Sequence, residues 1–271
     1  MMFSKVGIIG NGFVGNALYQ NFKGFVDTQV HDLVPEKSTM GLQELVEFAD
    51  VLFVCVPTPS NDDGSCNTKF VENIVKLIHS FKKDASVVIK STVVVGTTNK
   101  LADLYPEMKL AFNPEFLTEA NSYNDFRDQK LVVIGSEDQS FKDELRDFYA
   151  EFLRKNSKIE KASIVRVGTK EAEMFKYLAN CFLAAKLTFA NEMYQLCSVS
   201  EVDYDALRQV AELDVRLGET HWKVPGADGR MGWGGSCFPK DTNALTFFAR
   251  EQGSPLYLLE EAIVLNNKHR L

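Results

Sequence analysis

The sequence predicts an α/β protein: a doubly wound parallel sheet, followed by a long central helix and a small all-helical domain. Three observations predict it. Short runs of branched apolar residues (Val6–Ile9, Val51–Val56, Ser86–Lys90, Leu110–Phe112, Leu131–Gly135 and Ile164–Val167) alternate with helical patterns over the first 168 residues. That alternation is the mark of strands buried on both faces by crossover helices. The first strand runs directly into a glycine-rich turn, and from Thr169 to about Ser198 nothing interrupts a helical pattern. The predicted domains are therefore 1–168 and 169–271 of a 271-residue chain, each long enough for its own core.

Composition narrows the function classes. The hydrophobic fraction of 45% and charged fraction of 25% are those of an ordinary globular protein. A net charge of −7 argues against a nucleic-acid-binding surface. No apolar run is long enough to span a bilayer, and the chain enters its first strand at Val6 without the basic and apolar regions of a secretion signal. Cys55, Cys66, Cys181, Cys197 and Cys237 are odd in number and scattered, matching neither a disulfide framework nor a zinc site. The expectation is a cytoplasmic, reduced, metal-free protein with no membrane or nucleic-acid partner.

The elements carry the candidate residues in order. Gly10-Asn11-Gly12-Phe13-Val14-Gly15 fits G-x-G-x-x-G, with a strand before it and the helical pattern Ala17, Leu18, Phe22 after it. The glycines permit the tight turn and close approach of a pyrophosphate, and the helix N-terminus offers free N–H groups to the phosphates. Asp32, about twenty residues on, stands where an acid hydrogen-bonds the adenine ribose hydroxyls. An acid there would repel a 2′-phosphate, so the cofactor predicted for this Rossmann-type domain is NAD. Leu42–Phe48 reads as a helix, and Val56-Pro57-Thr58-Pro59 ends the next strand at the sheet edge where ligands bind. Helix 68–81 leads to a strand ending in Ser91-Thr92; Thr92 either orders a water or the nicotinamide, or caps a helix. Glu115 and Glu119 lie four apart after the strand 110–112, where a helical turn would aim both into a cleft. The alternative is a pair of acids at a helix N-terminus. Helix 139–154 completes the first half.

The second half is read as helices. Thr169 is expected to cap the long one. Phe175, Ala179, Phe182, Lys186, Phe189, Met193 and Leu196 recur at alternating spacings of four and three, which predicts a mostly apolar, buried stripe. Lys176 and Asn180 are one turn apart and put a charge and an amide on one adjoining face. Helix 203–212, a polar loop through Arg216, Lys223 and Arg230, and a final helix 256–266 follow. Between the last two lies Gly232-Trp-Gly-Gly-Ser-Cys-Phe-Pro-Lys-Asp241. Its glycines, Gly234 among them, allow the backbone to approach a ligand, and Pro239 suits the first turn of a helix over 240–252. Cys237 then sits beside Lys240 at a helix N-terminus, two features that favour a nucleophilic thiolate. The bland alternative is a small apolar cysteine in a tight turn.

Taken together, Gly10–Gly15, Val56-Pro-Thr-Pro59, Ser91-Thr92, Asn113–Glu119, Lys176-x3-Asn180, Arg216-x-Gly218 and Gly234–Asp241 resemble the UDP-glucose/GDP-mannose dehydrogenase family. The UDP-glucose-oxidising branch is the nearer. The resemblance implies a four-electron oxidation of a nucleotide sugar, the C6 alcohol passing through an aldehyde to the acid at the expense of two NAD, as in UDP-glucose to UDP-glucuronate. It implies that Cys237 forms a thiohemiacetal and then a thioester, that Lys176 and Asn180 stabilise the oxyanion, and that Asp241, Glu115 and Thr92 manage protons and water. It further implies substrate contacts from the backbone of Phe116 and Leu117 and from Gly234, with Val56, Pro57, Thr58, Ser91, Glu119 and Lys240 on the cofactor side. Arg216 would reach a neighbouring subunit's substrate, so a homodimer is implied.

The family adds a second Rossmann-like domain that binds the substrate nucleotide, and the sequence stops at Leu271 before it. The expectation is a form that holds the nucleotide differently, with Lys223 and Arg230 as candidates, or that takes another substrate. GDP-mannose is the alternative substrate. A two-electron β-hydroxyacid dehydrogenase would share Lys-x3-Asn but has no need of Cys237. A non-catalytic NAD-binding protein would need none of Cys237, Lys176 and Asp241.

Overall fold

The computed structural model describes residues 3–159 and 161–270. Its strands are β1 (Lys5–Ile9), β2 (Asp27–His31), β3 (Val51–Val54), β4 (Ser86–Ile89), β5 (Lys109–Phe112), β6 (Leu131–Gly135) and β7 (Ser163–Val167). They form a seven-stranded sheet in the order β2-β1-β3-β4-β5-β6-β7. Neighbours are parallel except β5 and β6, which pair antiparallel at Phe112 and Gly135. The predicted doubly wound parallel sheet is present, with one antiparallel neighbour pair at that point. A parallel neighbour needs a full crossover, usually over a helix, whereas residues 113–130 hold only the six-residue α5 (Ser122–Arg127) and return along the edge they left.

Helices α1 (Phe13–Phe22), α2 (Leu42–Phe48), α3 (Lys69–Phe81), α4 (Thr97–Leu104) and α6 (Gln139–Asn156) cover the sheet. Strand alternation splits the apolar side chains between two cores. Ile8, Phe53 and Val88 pack with Phe22, Phe126, Phe141, Tyr149 and Phe152 of α1, α5 and α6. Their neighbours Ile9, Leu52, Val54, Val87 and Ile89 pack with Leu45, Val75, Ile78 and Leu101 of α2, α3 and α4. The sheet is thus wound on both faces. Because β1 lies between β2 and β3, the chain reverses direction across the sheet there, opening a crevice at the strand ends.

The chain divides into two compact units, Met1–Pro59 with Asn67–Lys176, and Ser60–Cys66 with Tyr177–Leu271. The division falls inside α7 (Thr169–Val199). In the second unit, α8 (Tyr204–Leu213), α9 (Cys237–Glu251) and α10 (Tyr257–Arg270) join the rest of α7, and Ala190, Cys197, Tyr204 and Val224 form a small core. α9 begins three residues before the expected helix and α10 runs four beyond it.

Two expectations about α7 are corrected. Thr169 does not cap the helix; it is the first helical residue, and its N–H and hydroxyl both donate to Glu137 (3.1 and 2.9 Å), whose carboxylate is the cap. The phenylalanine stripe is not buried: Phe182, Phe189 and Leu196 are 66%, 56% and 54% exposed. The buried face is Tyr177, Cys181, Ala184, Thr188 and Asn191, with the same spacing but a different phase. Small side chains let neighbouring segments approach closely, and the polar ones reach hydrogen-bond partners, which outweighs the apolar area of the other face.

Phe22 ties the first core together, meeting the rings of Phe53, Phe126, Phe148, Tyr149 and Phe152 at centroid distances of 5.2–6.3 Å. Truncation leaves a cavity that these rings cannot close, so Phe22→Ala is expected to lower stability by about 3–5 kcal/mol in chemical denaturation.

Candidate active site

The glycine turn is shaped by contacts of its own. Gly10 has φ of +93°, and a Cβ on it would stand 2.6 Å from the Cys55 carbonyl oxygen. A Cβ on Gly15 would lie 1.8 Å from the Gly10 carbonyl oxygen. No other residue closes this turn. Gly12 is the cap position of α1, so no side chain caps the helix, and no acid stands in its first turn. Its N–H groups suit a phosphate. Asp32 Oδ2 accepts from the Asn11 N–H (2.6 Å) and Oδ1 from the Val34 N–H (2.9 Å). Burial alone would raise this carboxyl, but the N–H groups of Val34 and Asn11 and the nearby Lys37 charge hold it below its ordinary value. His31, Asp32, Pro35, Ser38 and Met40 line a groove of about 520 Å³. The residues present fit an adenine dinucleotide.

The strand ends of the first unit hold the next group. Ser91 Oγ donates to the Val56 carbonyl (2.6 Å), which ties the end of β4 to that of β3 beside Pro57 and the buried Thr58. Thr92 is buried one residue on. Glu115 is buried, and its carboxylate pairs with Lys176 Nζ at 2.9 Å while Oε2 accepts from the Leu117 N–H (2.9 Å). The same ammonium donates to the Glu115 carbonyl and lies 5.4 Å from the ring of Phe116. Residues 113–118 carry no helical turn, so Glu115 and Glu119 do not share a face: Glu115 points inward and Glu119 is exposed. Pro114 and the turn made by the Glu115 carboxylate on the Leu117 N–H hold the segment extended. The Leu117 N–H is thereby engaged within the chain.

In the second unit, Cys237 is the first residue of α9 and is half-buried, with Ser236 Oγ 3.7 Å from its sulfur. Asp241, one turn on, is buried and accepts from Asn180 Nδ2 and Lys240 Nζ, both at 2.5 Å. Lys240, expected beside the Cys237 sulfur, is paired with Asp241. Burial pushes the Cys181 thiol up to about 12, beside the Asp241 carbonyl that it meets at 3.6 Å. Arg216 is exposed and pairs with Asp214 (2.6 Å); Lys223 and Arg230 are exposed.

The glycine run before Cys237 is fastened by residues that the sequence reading missed. Asn266 Oδ1 accepts from the Trp233 N–H (2.6 Å), and its Nδ2 donates to the Trp233 carbonyl (3.0 Å). Arg270 Nε donates to the same carbonyl (3.1 Å), Asn191 Oδ1 accepts from the Gly232 N–H (2.8 Å), and Thr188 Oγ1 accepts from the Trp233 indole (2.9 Å). A Cβ on Gly232 would meet Asn266 Oδ1 at 2.5 Å, and one on Gly234 the Arg270 guanidinium at 2.7 Å. These two glycines therefore make room for α10, rather than only for a ligand. The available signal was the i, i+4 spacing of Asn266 and Arg270.

A doubly wound α/β unit with a glycine turn suited to a dinucleotide is followed in this chain by a helical unit that holds a cysteine at a helix start. Residues 27–153 match the model of the UDP-glucose/GDP-mannose dehydrogenase family NAD binding domain, and 170–268 that of the family's central domain. The chain belongs to the UDP-glucose/GDP-mannose dehydrogenase family. It is 35% identical over 243 residues to UDP-glucose 6-dehydrogenase of Pseudomonas aeruginosa, covering 86% of this chain and 51% of that one. It is 34% identical over 230 residues to UDP-glucose 6-dehydrogenase YwqF of Bacillus subtilis, covering 82% and 49%. Among solved structures, a UDP-glucose dehydrogenase from Pyrobaculum islandicum superposes with a TM-score of 0.85 at 27% identity, covering 98% of this chain and 68% of that one. The chain spans about half the length of the curated relatives it matches. Among the described residues, no helix is long and apolar enough to cross a membrane.

Replacing Asn266 by Ala strands the Trp233 N–H in a buried site. The expected result is a loss of about 1–3 kcal/mol in stability, with faster hydrogen exchange at the amides of 232–234 than elsewhere in the second unit.

Proposed function

We propose that the protein is an NAD-dependent nucleotide-sugar dehydrogenase that oxidises the C6 alcohol of UDP-glucose to the carboxylate by way of a Cys237 thioester. The observation that carries this reading is Cys237 at the first position of α9, with the buried Asp241 one turn on along the same helix. A two-electron alcohol oxidation needs neither.

When bound, NAD would accept hydride from C6, once at the alcohol and once at the adduct. The N–H groups at the start of α1 would hold the pyrophosphate, with Gly10, Gly12 and Gly15 giving it room, and the Asp32 carboxylate would hold the ribose hydroxyls. The first oxidation gives an aldehyde and releases a proton. Cys237 adds its sulfur to the aldehyde carbon, with the thiol proton passing to a base and the carbonyl oxygen becoming a hydroxyl. The second oxidation removes the C6 hydride and the hydroxyl proton, leaving a thioester. Water then adds to the thioester carbon, the C–S bond breaks, and the sulfur recovers a proton.

Each step needs groups of the kinds present. An ammonium such as Lys176 and an amide such as Asn180 stabilise the oxyanion of addition and hydrolysis. A carboxylate such as Glu115 or Asp241 takes the proton from the alcohol or the water, with Thr92 holding that water. Phe116, Leu117 and Gly234 are assigned to the sugar, and Val56, Pro57, Thr58, Ser91, Glu119 and Lys240 to the cofactor side. We assign the protein to a reduced, cytoplasmic setting, consistent with its free cysteines. A homodimer is supported by the apolar side chains that α7, α8 and the following loop leave in solvent: Phe182, Phe189, Leu196, Leu213 and Val215. In such a dimer Arg216, beside that face in sequence, would serve the partner's substrate.

The test is NADH formed per nucleotide sugar consumed, with UDP-glucose and GDP-mannose in parallel. Two NADH per UDP-glucose are expected from the native chain, and none of the acid product from Cys237→Ala. One NADH per sugar, unaffected by that substitution, would sink the thioester route. Asp32→Asn is expected to raise KM for NAD about tenfold, a loss of about 1.4 kcal/mol at the ribose, and to narrow the preference over NADP.

A further inference from the structure

Lys90 has no part in the chemistry just described, yet it is 2% exposed at the C-terminal end of β4. Its Nζ donates to Asn113 Oδ1 (2.9 Å) and to the Pro114 carbonyl (3.4 Å), and lies 5.8 Å from the centre of the Phe126 ring. Asn113 is held from two further sides: Tyr149 OH donates to its Oδ1 (2.6 Å), and its Nδ2 donates to the Val133 carbonyl (2.6 Å). Two residues on from Asn113, Lys176 Nζ holds both the carbonyl and the carboxylate of Glu115. Two buried ammonium groups therefore grip consecutive carbonyl oxygens, Pro114 by Lys90 and Glu115 by Lys176. A buried charge is expensive, and for stability alone an apolar side chain often serves as well. A lysine buried here, with its ammonium on Asn113 and the Pro114 carbonyl, points to a role in placing the segment that it grips.

We propose that Lys90 is a positioning residue of this site, fixing Asn113 and the Pro114 carbonyl so that the Glu115 carboxylate is presented to Lys176. The consequence for turnover rests on the reaction proposed above; the placement of Glu115 does not. Burial pulls the Lys90 ammonium down to about 8; the Glu115 charge opposes that and the Lys176 charge reinforces it. The other titratable groups facing it are Cys55, whose thiol burial pushes up to about 12, and Tyr149, which burial also pushes up. Lys90 therefore loses its proton before either of them. Its folded value lies below the ordinary one, so from about pH 8 to about pH 10.5 the unfolded chain holds the proton more tightly and stability from this group rises with pH. The grip moves the opposite way: above pH 8 the charge-assisted bonds from Lys90 to Asn113 and the Pro114 carbonyl weaken to neutral ones, which loosens the segment that carries Glu115.

The experiment uses the full chain with lysine labelled at Cε with carbon-13. Spectra of the native protein, Lys90→Met, Lys176→Met and Glu115→Gln, followed from about pH 7 to about pH 10, identify the Lys90 and Lys176 resonances. One lysine should titrate near 8 and vanish in Lys90→Met. The Lys176 resonance in Lys90→Met should move to its position in Glu115→Gln. In steady-state kinetics Lys90→Met should lower kcat about 10²-fold, the size of effect expected for a misplaced group, with KM for NAD unchanged, and the alkaline limb near pH 8 should disappear. Should Lys90→Met not fold, the native Lys176 resonance decides: a shift that follows the Lys90 titration supports the proposal, and no shift overturns it. A native-like Lys176 resonance in Lys90→Met, or a Lys90 that titrates near the ordinary value, also overturns it. If the native chain oxidises no nucleotide sugar, the reaction is wrong, and the resonances still decide the role of Lys90.

Discussion

Buried polar side chains on α7 must end on hydrogen-bond partners, and the loops of both units are arranged to provide them. In the first unit, Glu173 accepts from the N–H groups of Gly96 and Thr98 at the start of α4, and Lys176 holds Glu115. In the second, Asn180 donates to Asp241, and Thr188 and Asn191 fasten Trp233 and Gly232. An unpaired buried polar group is costly, so the face that carries these residues turns inward and the phenylalanines of the same helix are left in solvent. The helix is 31 residues long; it carries Lys176 and Asn180, and Glu115 and Asp241 are hydrogen-bonded to those two side chains.

The first half of the fold was legible because its signals are local. A strand, a glycine turn whose geometry excludes any side chain at Gly10 and Gly15, a helix and then Asp32 occur within some thirty residues, and each constrains the next. Apolar strands announce themselves by branching and alternation. The second half was less legible because its determinants are distant in sequence. Periodicity located a buried stripe on α7 but not its phase, since spacing alone does not say whether Phe182 or Cys181 turns inward. The cap of α7 comes from Glu137, and the start of α4 is held by Glu173, some 75 residues away. No local pattern around Gly96 predicts that.

The candidate site shows the same division. Residue types were readable: a cysteine at a helix start, a lysine and an asparagine one turn apart, and acids at strand ends. Pairings were not. Lys176 and Asn180 were read as a charge and an amide on one face; that each also meets its own carboxylate, Glu115 or Asp241, was not readable. The glycines before Cys237 were read as space for a ligand, and the fold shows that Gly232 and Gly234 also make room for Asn266 and Arg270. Glycine in a motif records that something comes close to the backbone, and only the fold says what. Family membership leaves these pairings untouched, because it specifies which residues recur and not what each one touches here.

The unequal burial of the five cysteines has a practical side. Cys66, Cys181 and Cys197 are shut away from solvent, and Cys55 sits where burial holds its thiol near 12. A maleimide or iodoacetamide reagent reacts with exposed thiolate, so at neutral pH the folded chain presents such reagents with Cys237 first. A fluorophore, spin label or crosslinker can then be placed at the start of α9 in the unmodified sequence.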